Sequence, residues 1–538
     1  MKFAGLIDAV TAGALQAAWM NAALSPVSEP GRRAADLLRP FVRGEESDAN
    51  DRAQLVMRFA GRIDAKRVDA MRDALRGSPD PLPAISRAAM GDVLDDAQFL
   101  ELQRFLDAAA RIDALLDGEE APLVDEACAA LARTLERGRA GKFGFYLADN
   151  FDASLSAARA DADRAQAEYD SARGRLAQRV AQALGRDEPP AGEFIVMRES
   201  VPQLPQGVRA IREAPTYYLC ELELDAPAVE ALGKRDAANA RVAAAEQSAR
   251  VMLSKNVRDA VQALETLTVR AGQLDLLLAH ARFAQRYDCV AATIEPGAGI
   301  AFAQARYLPL KAELDAQGRR YEAISIELRD VAVLTGPNMG GKSVALRTCG
   351  FIALLAAFGV PVPAQSAALC LFDEIAWLGI GASEDGGGLL SSFAREVVRL
   401  QEILSRDSTR MLVLVDEFAR TTTPYEGKAL LVALIRVLRR RGRVAFIATH
   451  LAGIARDARV RHFAVRGLRN IPRARSGDLD AALAALADSM DYAVVEVGES
   501  AERHADAIAL AHLLGLDEEI VAEAGTVLAE ETGMSWIR

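Results

Sequence analysis

The sequence predicts an α plus α/β chain: a helical core with long helical arms and a small β tip, followed by a mostly parallel, helix-covered sheet. Three observations carry that prediction. Alanine-rich stretches without proline recur through the front half, a composition that favours long helices. Behind them, short apolar runs alternate with helical patterns, as in a parallel sheet covered on both faces. Between one such run and the next helix lies LTGPNMGGKSVAL, residues 334–346, a glycine-rich loop.

A chain of 538 residues is long enough for several domains. The net charge of −11 gives no overall attraction to nucleic acid or to an anionic membrane. Cys128, Cys220, Cys289, Cys349 and Cys370 are scattered and form no CxxC pair, which argues against a zinc site or a disulfide framework. The opening MKFAGLIDAVTAGALQAAWM is interrupted by Asp8 and suits an amphipathic helix better than a secretory leader. No uncharged apolar run reaches the ~20 residues a membrane span needs, so a cytoplasmic location is expected.

Residues 1–150 read as a helical N-terminal and core region. VLDDAQFLELQRFLDAAARIDALLD (93–117) repeats apolar residues at intervals of three and four and stops at Gly118. Its Phe99-Leu100-Glu101 matches a Phe-x-Glu pattern of mismatch-reading proteins, yet Phe99 sits on a continuous apolar face and reads as core. Residues 151–297 read as two long helical arms, about 152–184 and 227–287, separated by a β-rich insert at 193–224. Residues 298–475 carry the alternating strands: SIELRDVAVLTG entering the loop, SVALRTCGFIALLAAFG leaving it, then MLVLVDEFAR and RVAFIATH. Residues 476–538 read as a C-terminal helical dimerisation segment.

Gly336, Gly341, Lys342 and Ser343 fit the G-x-x-x-x-G-K-S phosphate-binding pattern. Its glycines let backbone N–H groups approach phosphate oxygens, and the following helix turns its positive end to the same anion. Lys342 would reach the β- and γ-phosphates, and Ser343 would ligate Mg²⁺. Four apolar residues, Leu412–Val415, lead into Asp416-Glu417. A strand ending there places Asp416 by the metal and Glu417 by the attacking water; the bland reading is a cap for the next helix. His450 ends the following strand, positioned to sense the γ-phosphate.

In that order, TGPNMGGKS, GASEDGGGLLSSFAREV, LVDEFARTTTPYEG and ATH resemble the MutS family of ATPases, with Asn338-Met339 the most specific pair. The resemblance is strong over about 325–460 and weaker back to about residue 90. It implies that Gly336, Pro337, Asn338, Met339, Gly340, Gly341, Lys342 and Ser343 hold ATP and Mg²⁺. By the same resemblance Asp416 holds the metal, Glu417 is the catalytic base, and His450 is the switch histidine. Ser391 and Ser392 lie where the family contacts ATP across a head-to-head dimer of ATPase domains. Departures are visible: Leu389-Leu390 stand in place of a glycine, and Ala419, Thr421 and Pro424 replace glycine, glycine and threonine. A Gly-Arg-His-Pro stretch is not apparent, and too little chain precedes the helical core for mismatch-reading and connector domains.

These departures resemble the KamC-type reactivase ATPases, which serve cobalamin-dependent lysine 5,6-aminomutase together with a second subunit. A protein partner is therefore expected, either that subunit or an aminomutase. The alternatives are a short MutS paralogue binding mismatched or branched DNA, and a nucleotide-gated scaffold. Between Glu193 and Asp225 three arginines face six acids, a net of −3 that should repel a duplex. Against this, Arg436–Arg475 holds twelve arginines and one acid, Asp457. They read either as caps and ion-pair partners or as a groove for DNA or an acidic partner.

Overall fold

The computed structural model describes residues 3, 5–118, 121–140, 144–151, 153–201, 203–297, 299–337, 340–379, 392–468, 490–498, 508, 511–512 and 515–532. The chain forms two compact units: Gly77–Arg270, and Met1–Arg76 together with Ala271–Arg538.

Within Gly77–Arg270, the helix Asp96–Leu116 starts at a capping box in which Asp95 accepts from Gln98 N and Gln98 answers at the Asp95 amide. Phe99, Leu102, Phe105, Leu106, Ala109 and Ile112 are buried along one face, with Phe99 against the Phe145 ring at 5.4 Å. Phe99 is thus a core residue. The helices Ala153–Ala183 and Ala226–Asp259 run antiparallel, since ascending positions on one meet descending positions on the other. Arg159 pairs with Glu246, Tyr169 lies under Arg235, and Arg179 pairs with Asp225. Ala172, Ala228 and Ala231 are buried in the seam, where small side chains let the backbones approach. At 1.5 Å per residue the arms are about 45–50 Å long.

A three-stranded antiparallel sheet joins the arms, ordered Phe194–Met197, Tyr217–Leu222, Val208–Glu213. Its inner face places Phe194, Val196, Val208 and Cys220 on Leu176 and Val180. The second arm, expected as one helix to about residue 287, stops at Asp259 and restarts as Val261–Arg286. No proline or glycine marks this break. The turn tightens there, with Ala260 N donating to Val257 O at 3.1 Å, before Leu264 N resumes the longer pattern to Ala260 O.

In the other unit a six-stranded sheet takes the order Glu374–Gly379, Met411–Asp416, Val444–Ala448, Val331–Thr335, Arg461–Leu468, Met490–Glu496. The first five strands are parallel and the last is antiparallel. Alternation divides their residues between two faces. Val331, Val333, Val413, Val415, Ala445 and Ile447 pack with Leu431, Leu434, Ile435 and Leu438 of the helix Pro424–Arg440. The helix Lys342–Ala357 covers the other face so closely that a Cβ on Gly350 would lie 2.8 Å from Leu414 Cδ1. Burial on this scale stabilises by about 1.5–3 kcal/mol for each large apolar side chain.

The N-terminal residues finish one edge of this sheet. Ile375 N donates to Leu6 O at 2.8 Å, and Trp377 N donates to Thr11 Oγ1 at 3.1 Å, closing alternate amides of the edge strand. The amphipathic start is two short helices, Ala9–Ala14 and Ala17–Ala23, separated by Gln16 in left-handed geometry. A four-stranded sheet of Thr293–Ile294, Ser366–Leu369, Ile300–Ala305 and Ile324–Leu328 lies in the same unit. The terminal helix Glu518–Thr532 follows a turn at Gly515. All five cysteines are buried free thiols, and among the described residues no helix is long and apolar enough to cross a membrane.

Candidate active site

Strand register assembles the site. Gly379, Asp416, Ala448, Leu334 and Phe463 form one row across the five parallel strands. Just beyond that row, at the carboxyl ends, lie the loop from Gly336, the pair Asp416-Glu417, and Thr449-His450. Carboxyl ends of a parallel sheet are where open α/β folds bind ligands.

The loop after Thr335 leads into the helix that opens at Lys342. Gly336 has φ +149° and a Cβ there would lie 3.0 Å from Val465 Cβ, so only glycine passes. Gly341, at φ +86°, is the residue before the helix. Thr335 Oγ1 and His462 Nε2 share a hydrogen bond of 2.8 Å that fixes the strand end. Lys342 is buried, and its ammonium donates to Gly336 O at 2.9 Å and Pro337 O at 3.1 Å. Its third neighbour is the Glu417 carboxylate, 3.4 Å away.

Asp416 hydrogen-bonds the Ser343 hydroxyl. Its pKa is pushed above the ordinary carboxylate range by burial, with the Glu417 charge adding to the effect and the Ser343 hydrogen bond opposing it. Oδ1 of Asp416 is buried with no hydrogen-bond partner among the described residues. Two hard oxygen donors with spare capacity, in a pocket that disfavours uncompensated negative charge, suit a small divalent cation such as Mg²⁺.

Glu417 stands at φ +54° and Ala419 at φ +63°, left-handed values that side-chain-bearing residues rarely adopt. Glu417 N donates to Ala448 O at 3.0 Å, Arg420 lies 3.3 Å from its carboxylate, and Ala419 N donates to Glu396 Oε2 at 2.8 Å. This turn presents Glu417 to Lys342.

Lys342, Ser343, Asp416, Glu417, Gly336 and Pro337 are thus gathered, with Gly340 closing on Pro337 O. His450 is exposed, two residues beyond Ala448 in the row. Ser392 begins the helix Ser392–Ser405. Asn338, Met339 and Ser391 lie outside the described residues. Three further residues shape the site. A Cβ on Gly379 would lie 2.7 Å from Asp416 Cβ; Arg347 stands over the Trp377 ring and its charge opposes the rise at Asp416; Glu396 binds the turn. Only Glu396 left a trace in the sequence, as the acid in SSFAREV; the others depend on strand register.

Seven arginines of the arginine-rich stretch are engaged within the fold. Arg436, Arg439, Arg441 and Arg443 donate to the carbonyls of Asp457, Arg459, Leu404 and Arg406. Arg456, Arg461 and Arg466 pair with Asp457, Glu496 and Asp491. Arg469, Arg473 and Arg475 lie outside the described residues.

Residues 332–531 match the family MutS domain V. Over 183 residues the chain is 36% identical to an endonuclease MutS2 of Gemmatimonas aurantiaca, covering 33% of this chain and 22% of that protein. Over 202 residues it is 30% identical to the endonuclease MutS2 of Clostridium botulinum (strain ATCC 19397 / Type A), covering 37% and 25%. The chain thus spans about a quarter of the length of the curated relatives it matches. The likeness covers the segment that carries the glycine-rich loop and the Asp416-Glu417 pair, whose described residues form a mixed helix and sheet fold containing parallel strands.

Proposed function

We propose that the chain is a Mg²⁺-dependent ATPase of MutS type that acts as a dimer and uses its nucleotide cycle to remodel a protein partner. The observation that carries the catalytic part is the meeting of Lys342, Ser343, Asp416 and Glu417 at the carboxyl ends of two strands. In this reading the loop amides and Lys342 take the β- and γ-phosphates of ATP. Ser343 and Asp416 would hold Mg²⁺, which neutralises phosphate charge. Glu417 orients the attacking water and accepts its proton as the water oxygen bonds to the γ-phosphorus and ADP leaves. His450, beyond the neighbouring strand, reads the γ-phosphate, and Ser391 and Ser392 complete the site of the facing subunit.

For the partner, the acidic arm insert and the internally engaged arginines support protein over DNA. The KamC-like departures at Ala419, Thr421 and Pro424 support a reactivase of cobalamin-dependent aminomutase, acting with a second subunit. The second reading, a paralogue that binds mismatched or branched DNA, draws on the MutS2 likeness of the ATPase segment. Two titrations of ATPase activity at near-physiological salt decide between them. One uses homoduplex, mismatched and branched DNA; the other uses a cobalamin-dependent lysine 5,6-aminomutase. Stimulation by the enzyme alone is expected. Tight junction or mismatch binding with stimulation, and no response to the enzyme, would replace the first reading with the second.

A further inference from the structure

We propose that Glu396 is a positioning residue that holds the Glu417–Ala419 turn in the conformation that aims Glu417 at Lys342. The inference rests on the ATPase reading, because it concerns how the proposed base is held. Glu396 is only 8% exposed, on the helix Ser392–Ser405, and its Oε2 accepts the Ala419 amide at 2.8 Å. Its Oε1 is buried with no hydrogen-bond partner among the described residues. A carboxylate in such a place loses solvation, and a leucine there would avoid that loss. Among the described residues its side-chain hydrogen bond is to the turn.

That turn needs holding. Two residues with side chains, Glu417 and Ala419, stand at left-handed φ, a conformation that persists only where the surroundings over-determine it. The MutS pattern carries glycine at 419, for which this geometry is unstrained; this chain has alanine. Three contacts fix the turn: Glu417 N on Ala448 O, Phe418 buried with Phe393 at 6.5 Å, and Ala419 N on Glu396. Phe393 and Glu396 come from one helix, so that helix holds two consecutive residues of the turn. The same helix begins at Ser392.

The test compares Glu396→Ala and Glu396→Gln, the second retaining an acceptor oxygen. Glu396→Met, of similar volume without that acceptor, replaces the alanine variant if it does not fold. Loss of the acceptor should lower kcat about 10-fold or more, the equivalent of one charge-assisted hydrogen bond, while KM for ATP moves by less than about twofold. The Gln variant should stay within about threefold of the parent. Amide exchange in a peptide covering 417–422 should quicken in the Ala variant and not in strands Val331–Thr335 or Val444–Ala448. Ala419→Gly, which relieves the backbone, should restore part of kcat in the Glu396→Ala background and do little in the parent. Parental kcat with unchanged exchange at 417–422 overturns the proposal, as does an exchange increase spread evenly over the sheet. A parent chain without ATPase activity overturns the ATPase reading instead, and the exchange comparison then decides the positioning role alone.

Discussion

At Glu417 the proposed chemistry and the left-handed backbone coincide. Replacing it by Gln keeps the size of the side chain and removes its basicity, so nucleotide binding should persist while turnover falls roughly 10²–10⁴-fold. Single-turnover hydrolysis with a parallel binding titration checks this. Lys342→Ala should weaken nucleotide binding itself, since it removes a buried ammonium that contacts the loop carbonyls. Asp416 behaves differently, because burial raises its pKa and its charged form is held at a cost. Asp416→Asn should therefore abolish Mg²⁺-dependent turnover yet leave the fold at least as stable as the parent's. In the parent, protonation of Asp416 as pH falls would remove the proposed metal ligand, and because its pKa is raised, Mg²⁺-dependent activity should fall on the acid side. Calorimetry and pH–rate profiles on the two proteins test both statements.

Among the secondary-structure elements, the N-terminal segment carries the least expected role. Its backbone closes the Glu374–Gly379 edge, and Asp8 caps its first helix while pairing with Arg399 at 2.6 Å and with Arg406 at 2.5 Å. Burial alone would raise the Asp8 pKa; hydrogen bonds from Arg406, Thr11 and Arg399 outweigh it and hold the carboxyl well below the usual range. A depressed carboxyl contributes stability above its unfolded pKa and loses it as pH falls through the folded value. Asp8→Asn should thus cost about 1–3 kcal/mol at neutral pH, with the gap to the parent narrowing below about pH 4. Denaturant melts at neutral and acid pH measure that gap, and a gap independent of pH would remove Asp8 from the account. The arm insert makes a second point at this scale. Its inner face is packed on Leu176 and Val180, whereas Ile195, Met197 and Ile211 are exposed on an insert whose net charge of −3 offers little to phosphate.

For the whole molecule, the dimer proposal predicts complementation. Glu417→Gln chains mixed with chains altered at both Ser391 and Ser392 would assemble one doubly damaged site and one site with intact Glu417 and intact serines. Turnover should recover on mixing; strictly additive activities would show that sites are not shared. Duplex DNA should bind weakly, without preference for a mismatch, and binding should fall steeply with salt, because displaced counterions drive such contacts. Filter binding over a salt series, with homoduplex and mismatched probes, is the check.

Local sequence patterns announce the periodic elements and the glycine-rich loop. Helical spacing around 93–117, the proline-free arms, the apolar strands and G-x-x-x-x-G-K-S are local patterns, set by residues within a few positions of one another. They also announce Asp416-Glu417, because an apolar run ending in two acids is legible without knowing its neighbours. Tertiary structure decided what depends on pairing. The register that sets Gly379 beside Asp416, the Glu396 hold on Ala419, and the use of residues 6–11 to close a strand edge join positions hundreds or tens of residues apart. It also decided that the second arm breaks at Ala260, where no proline or glycine announces a stop, and that seven of the arginines of 436–466 meet carbonyls and acids within the fold. Periodicity reports which face of an element is apolar; it carries no information about which other face will cover it.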